Sequence, residues 1–336
     1  MTSTDASTRI RSGTVDDTTA VRAVLAESCG IDAQSEASAA VLALVLETEG
    51  STYAGVGGLA LFSASGQSGW LSGGCLEPEI ARRAETAAHD ARIEFMEIDT
   101  RDDDALFAGS ATGCRGRLRL ALVPLAGWSG YADAAHGWLD GGHALQVSIA
   151  TNGYIEIASD AIVARHRLPA DAPAWADAET VWSLRFARLP ELVAFGAGPE
   201  TEALLPHLRR LGWRCTLVER RERWQALTGL ADTHLALSPR DALAALPHCD
   251  AALVMHHGFE SDLDALDALA DSGCGFVGLL GPVRRREDLM RLLPASRRDA
   301  LLPVLRSPIG LALGGRGADA IALSIVAQLQ QWRHGG

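Results

Sequence analysis

Apolar and polar positions follow two rhythms along this chain, and the change comes near residues 186–190. From Ala39 the run AAVLALVLETEGSTY is apolar for the length of a strand and ends in a Glu-Gly-Ser turn. Gly58–Phe62 and Gly69–Leu71 read as strands on either side of the turn Ser65-Gly66-Gln67. More are expected at Arg92–Ile98, Arg117–Val123, Leu145–Ala150, Tyr154–Ile157 and Thr180–Phe186. SGGCLEPEIARRAETAAHD reads as a turn entering a helix: Pro78 suits the first turn, where its missing N–H costs nothing, and Ile80 and Ala84 share a face. This mixture predicts an α+β domain over residues 37–187. Residues 1–36 read as a polar, frayed tail followed by a short helix, Val21–Cys29.

Beyond Leu189-Pro190, LVAF, a helix bearing Leu204, Leu205, Leu208 and Leu211, and CTLV compose one β-α-β unit. ALV at 252–254 and FVGL at 276–279 are short buried strands with a helix, Leu263–Leu269, between them. The last helix, Asp319–Trp332, carries Ile321, Ile325 and Leu329 at four-residue spacing. Short apolar strands alternating with amphipathic helices predict a Rossmann-like, doubly wound parallel sheet over residues 188–336. The fold class expected for the whole is α/β, with the α+β domain first.

Composition narrows the function. Hydrophobic residues make up 48% and charged residues 21% of 336, enough apolar material to exclude wholesale disorder. The net charge of -12 argues against sequence-independent nucleic-acid binding, because such a surface repels phosphate backbones. There is no lysine, so phosphate-loop, Schiff-base and Ser-Lys chemistries are excluded. No apolar run reaches the ~18–20 residues of a membrane-spanning helix, and the polar start reads as no export signal. Six cysteines without a C-x-x-C pair resemble neither a secreted disulfide framework nor a zinc ribbon, so the reducing cytoplasm is the expected compartment and no metal site is expected.

The sharpest motif is Gly73-Gly74-Cys75-Leu76-Glu77. Two glycines let a ligand approach the backbone, and a cysteine at a helix start is in a position that favours thiolate, as nucleophile or soft-atom ligand. Glu77 is close enough in sequence to shuttle a proton, or to cap the helix. Thr112-Gly113-Cys114-Arg115-Gly116 is a second glycine-flanked cysteine, 39 residues on, which suggests two thiols converging on one ligand. Cys215, Cys249 and Cys274 lie in or beside strands and read as core packing. Gly196-Ala197-Gly198 follows a strand and opens a helix, and Glu219 lies 21 residues past Gly198, where an acid would meet a ribose hydroxyl. Thr201 replaces the third glycine, with a side chain expected to obstruct helix–strand packing. Pro199 removes an N–H, and Glu200 and Glu202 bring negative charge to a phosphate-binding end. His256 and His257 fall at the carboxyl end of a strand, and Arg284-Arg285-Arg286 opens a helix as a solvated face or a phosphate attractor.

Three separated stretches resemble the XdhC/CoxI accessory proteins of xanthine dehydrogenase and related molybdenum hydroxylases. They are LVLETEGSTY with SGGCLEPEI and TGCRG, then LVAFGAGPETEALLPHLRRLGWRCTLVERR, and last ALVMHHGFESDLDAL with FVGLLGPVRRREDL and SPIGLALGGRGADAIALSIVAQL, spanning residues 41–330. The resemblance implies a cytoplasmic, usually homodimeric protein with an α+β domain followed by a Rossmann domain. It implies that molybdenum cofactor (molybdopterin) is bound as cargo, sulfurated with a cysteine desulfurase and delivered to an apo-hydroxylase of the xanthine dehydrogenase type. The family's two glycine-rich cysteines correspond to Cys75 and Cys114. This chain departs from the family at Pro199, Thr201, Glu219-Arg220-Arg221 and His256-His257-Gly258-Phe259. A dithiolene and a terminal sulfido ligand suit a thiolate, and glycine turns with Arg115 suit the phosphate and pterin.

A cofactor chaperone is the first reading. The alternative is an NAD(P)-dependent oxidoreductase using Gly196, Gly198 and Glu219, against which stand Thr201, Pro199 and the absence of a Tyr-Lys pair. A nucleotidyltransferase acting on the cofactor lacks its glycine loop here.

Overall fold

The structure is a computed structural model that describes residues 8–31, 39–101, 115–176 and 179–335. The chain divides into two compact units, Met1–Leu189 and Pro190–Gly336.

In the first unit the strands are β1 (Arg9–Val15), β2 (Val41–Gly50), β3 (Leu59–Ser63), β4 (Gly66–Ser68), β5 (Glu94–Asp99), β6 (Gly116–Pro124), β7 (Leu145–Ala150), β8 (Tyr154–Ser159), β9 (Ile162–Arg167) and β10 (Thr180–Phe186). They form two five-stranded sheets, ordered β1-β10-β7-β8-β9 and β4-β3-β2-β6-β5. The apolar run of β2 is explained by burial on both faces. Leu42, Leu44 and Leu46 pack in one core with Trp182, Leu184 and Phe186 of β10 and with Tyr131 and Trp138 of the helix Tyr131–Leu139. Val41, Ala43 and Val45 pack in another against Ile80, Ala84 and Ala87 of the helix Glu77–His89. Toward the other end of β2 the pattern turns ionic. Arg119 pairs with Glu47 and Glu97, each at 2.7 Å, and Arg117 pairs with Asp99 at 2.9 Å. These cross-strand pairs help fix the register of β2, β6 and β5 where their ends leave the core.

Three local expectations need correction. Residues 9–15 do not fray: they form β1, parallel to β10 with Arg9 opposite Thr180 and Val15 opposite Phe186. The burial of Val15 and the backbone ladder outweigh the polar composition of the stretch. Gly69–Leu71 is not a strand. Gly69 has φ +79°, the chain leaves the sheet there, and the hairpin partner of β3 is Gly66–Ser68. The helix Val21–Cys29 begins two residues earlier, at Thr19.

In the second unit, β11 (Glu191–Phe195), β12 (Arg214–Val218), β13 (Thr233–Leu235), β14 (Ala251–Val254), β15 (Phe276–Leu279) and β16 (Leu305–Arg306) form one sheet in the order β13-β12-β11-β14-β15-β16. Every neighbouring pair is parallel. This is the doubly wound Rossmann order, and the strand order reverses between β11 and β14. Each strand again serves two cores: Leu192 and Ala194 face the helices Thr201–Arg210 and Ala318–His334, whereas Val193 and Phe195 face Phe259–Leu269 and Val283–Leu292. Cys249 and Cys274, expected as separate core residues, are joined in a disulfide with Cα atoms 5.4 Å apart. Sheet register explains it. Ala251 of β14 lies opposite Phe276 of β15, so the residues two positions earlier on each strand fall side by side. Cys215 is buried in the core, as expected.

Candidate functional site

The GGC turn sits over the ends of three strands. Leu71, Ser72, Gly73, Cys75 and Leu76 line a narrow cleft together with residues beyond the end of β2 and residues from the ends of β5 and β6. Cys75 is an exposed free cysteine one residue before the helix cap at Leu76. Its thiol reaches Ser72 Oγ at 3.8 Å. Gly73 has open space where a Cβ would project, as does Gly74, whose φ is +103°. The glycine pair therefore leaves bare backbone beside a thiol.

Glu77 holds this turn in place. It is 4% exposed, and its Oε1 accepts the backbone N–H groups of Leu71 at 3.1 Å and Ser72 at 2.7 Å. The Ser72 hydroxyl donates to Glu77 Oε2 and accepts from the N–H groups of Gly74 at 3.2 Å and Leu76 at 3.1 Å. Burial pushes the Glu77 carboxyl up. The Ser72 hydroxyl and N–H, its own N–H and that of Leu71 push it further down, so it lies below the ordinary glutamate range. A carboxylate so committed is a scaffold for the loop and, through its own N–H, for the start of the helix.

On the far wall, Gly50 and Gly116 face each other in the β2–β6 register. A Cβ on Gly116 would lie 2.5 Å from Ser51 O, and one on Gly50 2.6 Å from Arg115 O. Only glycine allows this crossing, which the Ser51 N–H to Arg115 O bond closes at 3.0 Å. Thr52 donates its hydroxyl to Ala54 O, and Thr100 shares its hydroxyl with the backbone of Gly116. With those hydroxyls spent, the cleft presents mostly carbon, from Leu71, Leu76, Ile98, Leu118 and the 61%-exposed Tyr53. Arg115 is exposed immediately before Gly116. Cys114 lies outside the described residues.

The second unit holds the other expected group. Gly196, Gly198 and Glu219 come together at the carboxyl ends of β11 and β12. Ala197 N–H donates to Glu219 Oε2 at 2.8 Å, and Gly198 N–H to Thr201 Oγ1 at 3.0 Å. Thr201, expected to obstruct packing, is instead buried and satisfies the turn. His256 Nδ1 lies 3.3 Å from Asp262, which also binds Arg285, and His257 Nε2 lies 3.2 Å from Glu200. Arg284 is solvated, with its side chain 92% exposed, and Arg286 donates to Ser307 O. Among the described residues there is no cluster of three or more His, Cys, Asp or Glu side chains placed to hold a metal ion. None of their helices is long and apolar enough to cross a membrane.

Comparison with known proteins agrees across both units. Residues 33–99 match the XdhC and CoxI family, and residues 192–329 match the XdhC Rossmann domain. The chain belongs to the XdhC/CoxI family. A relative from Bacillus subtilis (strain 168), described as a probable xanthine dehydrogenase subunit, is 27% identical over 316 residues, covering 88% of this chain and 93% of its own. A crystal structure described as a xanthine dehydrogenase from Bacillus halodurans superposes with a TM-score of 0.69 at 25% identity, covering 94% of this chain and 95% of that one.

Of the residues that the motifs mark, Gly73 and Cys75 line the cleft, and the motifs do not point to Ser51, Thr52, Tyr53 or Thr100, which line it as well. A signal for the first three was available in the Glu-Gly-Ser-Thr-Tyr turn ending a buried strand. Nothing local marks Thr100, which arrives through the pairing of β5 with β6.

Proposed function

We propose that this protein binds molybdenum cofactor as cargo at the Cys75 cleft. It assists the cofactor's sulfuration with a cysteine desulfurase and passes it to a xanthine dehydrogenase-type molybdenum hydroxylase. The observation that carries this reading is the cleft itself: an exposed thiol and unobstructed glycine backbone at the mouth of an apolar slot. The chemistry fits the cargo. A dithiolene–molybdenum centre is soft and favours sulfur, and a flat pterin favours carbon walls and an exposed aromatic such as Tyr53. The exposed Arg115, one residue before Gly116 of the cleft wall, is our candidate for meeting the phosphate. The protein works in the cytoplasm as a homodimer, a maturation factor rather than a catalyst.

The test is purification from cells that make the cofactor, followed by molybdenum and pterin analysis of wild type and Cys75→Ser. Wild type should carry both, and the serine variant should fold yet lose most of each. Equal cargo on the two proteins would make the thiol structural, and no cargo on wild type would remove the reading. The oxidoreductase alternative gains no support from the second unit, where the glycine turn and Glu219 are bonded to one another.

A further inference from the structure

We infer that the Rossmann unit is closed to dinucleotides by its own side chains, with Glu200 and His257 standing where the phosphates of such a ligand would lie. A doubly wound unit that binds a dinucleotide needs free N–H donors in the turn after its first strand, a helix start open to negative charge, and an acid after the second strand free to meet a ribose. This chain has all three parts in position, and each is already used.

The turn donors are spent on Glu219 and Thr201, and Pro199 contributes none. The space above the turn is also filled. A Cβ on Gly198 would meet Glu200 Oε1 at 2.5 Å and His257 Nε2 at 2.6 Å, so these two side-chain ends lie directly against the turn. Glu200 is 3% exposed and places a carboxylate at the start of the helix Thr201–Arg210, where it repels an incoming phosphate. Glu219 is 2% exposed. Its Oε1 accepts from Arg221 N at 2.7 Å and Nε at 2.9 Å, and its Oε2 accepts from Ala197 N and from Arg221 Nη2 at 2.6 Å. Four donors leave it no lone pair for a ribose hydroxyl. Arg221 then ties the crevice shut, donating to Ala197 O at 2.9 Å after β11 and to His256 O at 2.7 Å after β14. These bonds span the point where the strand order reverses, the place a ligand would enter.

The closure has a fixed part, the Glu219–Arg221 strap, and a removable part, the Glu200–His257 pair. Titration calorimetry with NADH, NADPH and inorganic pyrophosphate on the full chain separates them. Wild type should show no saturable binding of any of the three up to about 1 mM. Glu200→Ala and the double variant Glu200→Ala/His257→Ala open the phosphate position and should bind pyrophosphate at least tenfold more tightly than wild type. If Glu200→Ala does not fold, Glu200→Gln keeps the shape, removes the charge and should show a smaller gain of the same sign. Micromolar binding of NADH or NADPH by wild type overturns the inference. Folded variants with no gain for pyrophosphate overturn it equally, because the obstruction would then lie elsewhere. The result is independent of cofactor binding at Cys75, which the same proteins report through their molybdenum content.

Discussion

The role assigned to Glu77 can be tested by comparing two substitutions of one side chain. Glu77→Ala removes the acceptor for two backbone N–H groups and the Ser72 hydroxyl, all buried. Leaving a buried donor unpaired costs about 1–3 kcal/mol. Water entering the space left by the side chain recovers part of that, so a loss of ~2–4 kcal/mol is expected. Glu77→Gln keeps the shape and an oxygen for the two N–H groups, and should cost only about 1 kcal/mol through the Ser72 hydroxyl. Urea unfolding at pH 7 measures both. Because the folded-state carboxyl is held below its ordinary value, its contribution is fully present above the unfolded pKa of about 4.3 and is lost as pH falls through the folded one. The gap between wild type and Glu77→Gln should therefore narrow below about pH 4. Alkylation of Cys75 supplies the second readout. If Glu77 shapes the turn and does not take the thiol's proton, Glu77→Gln should alkylate within about twofold of wild type, since the hydrogen-bonded turn survives. A tenfold drop in that rate would restore the proton-shuttle role, and a Glu77→Ala protein as stable as wild type would refute the scaffold.

The glycines divide by what a methyl group would meet. Gly73→Ala should leave urea stability within about 0.5 kcal/mol of wild type while reducing pterin carried through purification, and unchanged cargo would count against backbone approach at that residue. Gly116→Ala should destabilise by ~2–3 kcal/mol, because its Cβ meets Ser51 O at 2.5 Å and Thr52 Cγ2 at 2.6 Å; a neutral effect would mean the crossing relaxes freely. The Cys249–Cys274 bond closes a loop with a sequence separation of 25, so reductant or Cys249→Ser should lower unfolding stability by about 3 kcal/mol without touching cofactor content. Identical denaturation curves with and without reductant would show that the bond contributes nothing in solution.

Much of the fold was legible because it lay in local pattern. The second unit announces itself by short apolar strands between helices, and the doubly wound sheet follows. Its edge strands do not: Thr233–Leu235 and Leu305–Arg306 are only partly buried and too short to carry a period. β2 shows the opposite difficulty. With both faces buried its sequence is continuously apolar, so length and the following turn identify it as a strand, while which face meets which core is set by partners far along the chain. The polar stretch Arg9–Val15 becomes a strand only because β10, about 170 residues later, offers its edge. Disulfide pairing was hidden for a related reason, since register between β14 and β15 decides it.

The two glycine motifs show what sequence spacing leaves open. Gly73-Gly74-Cys75 and Gly196-Ala197-Gly198 each follow the logic of a turn that exposes backbone at a helix start. In the first, the neighbouring acid, Glu77, binds the turn from beneath, and the glycines and the thiol remain open to solvent. In the second, the acid 21 residues on, Glu219, binds the turn N–H itself, while Glu200 and His257 crowd the glycine. Spacing brings an acid to both turns; only the direction in which its oxygens point decides whether the turn is supported or occupied. Arg221 makes that choice in the Rossmann unit, because it fixes both oxygens of Glu219. The signal was present in the sequence as Glu219-Arg220-Arg221, one of the places where the chain departs from the family it resembles. The acid reaches back to the glycine turn, and the arginine two residues later holds it there.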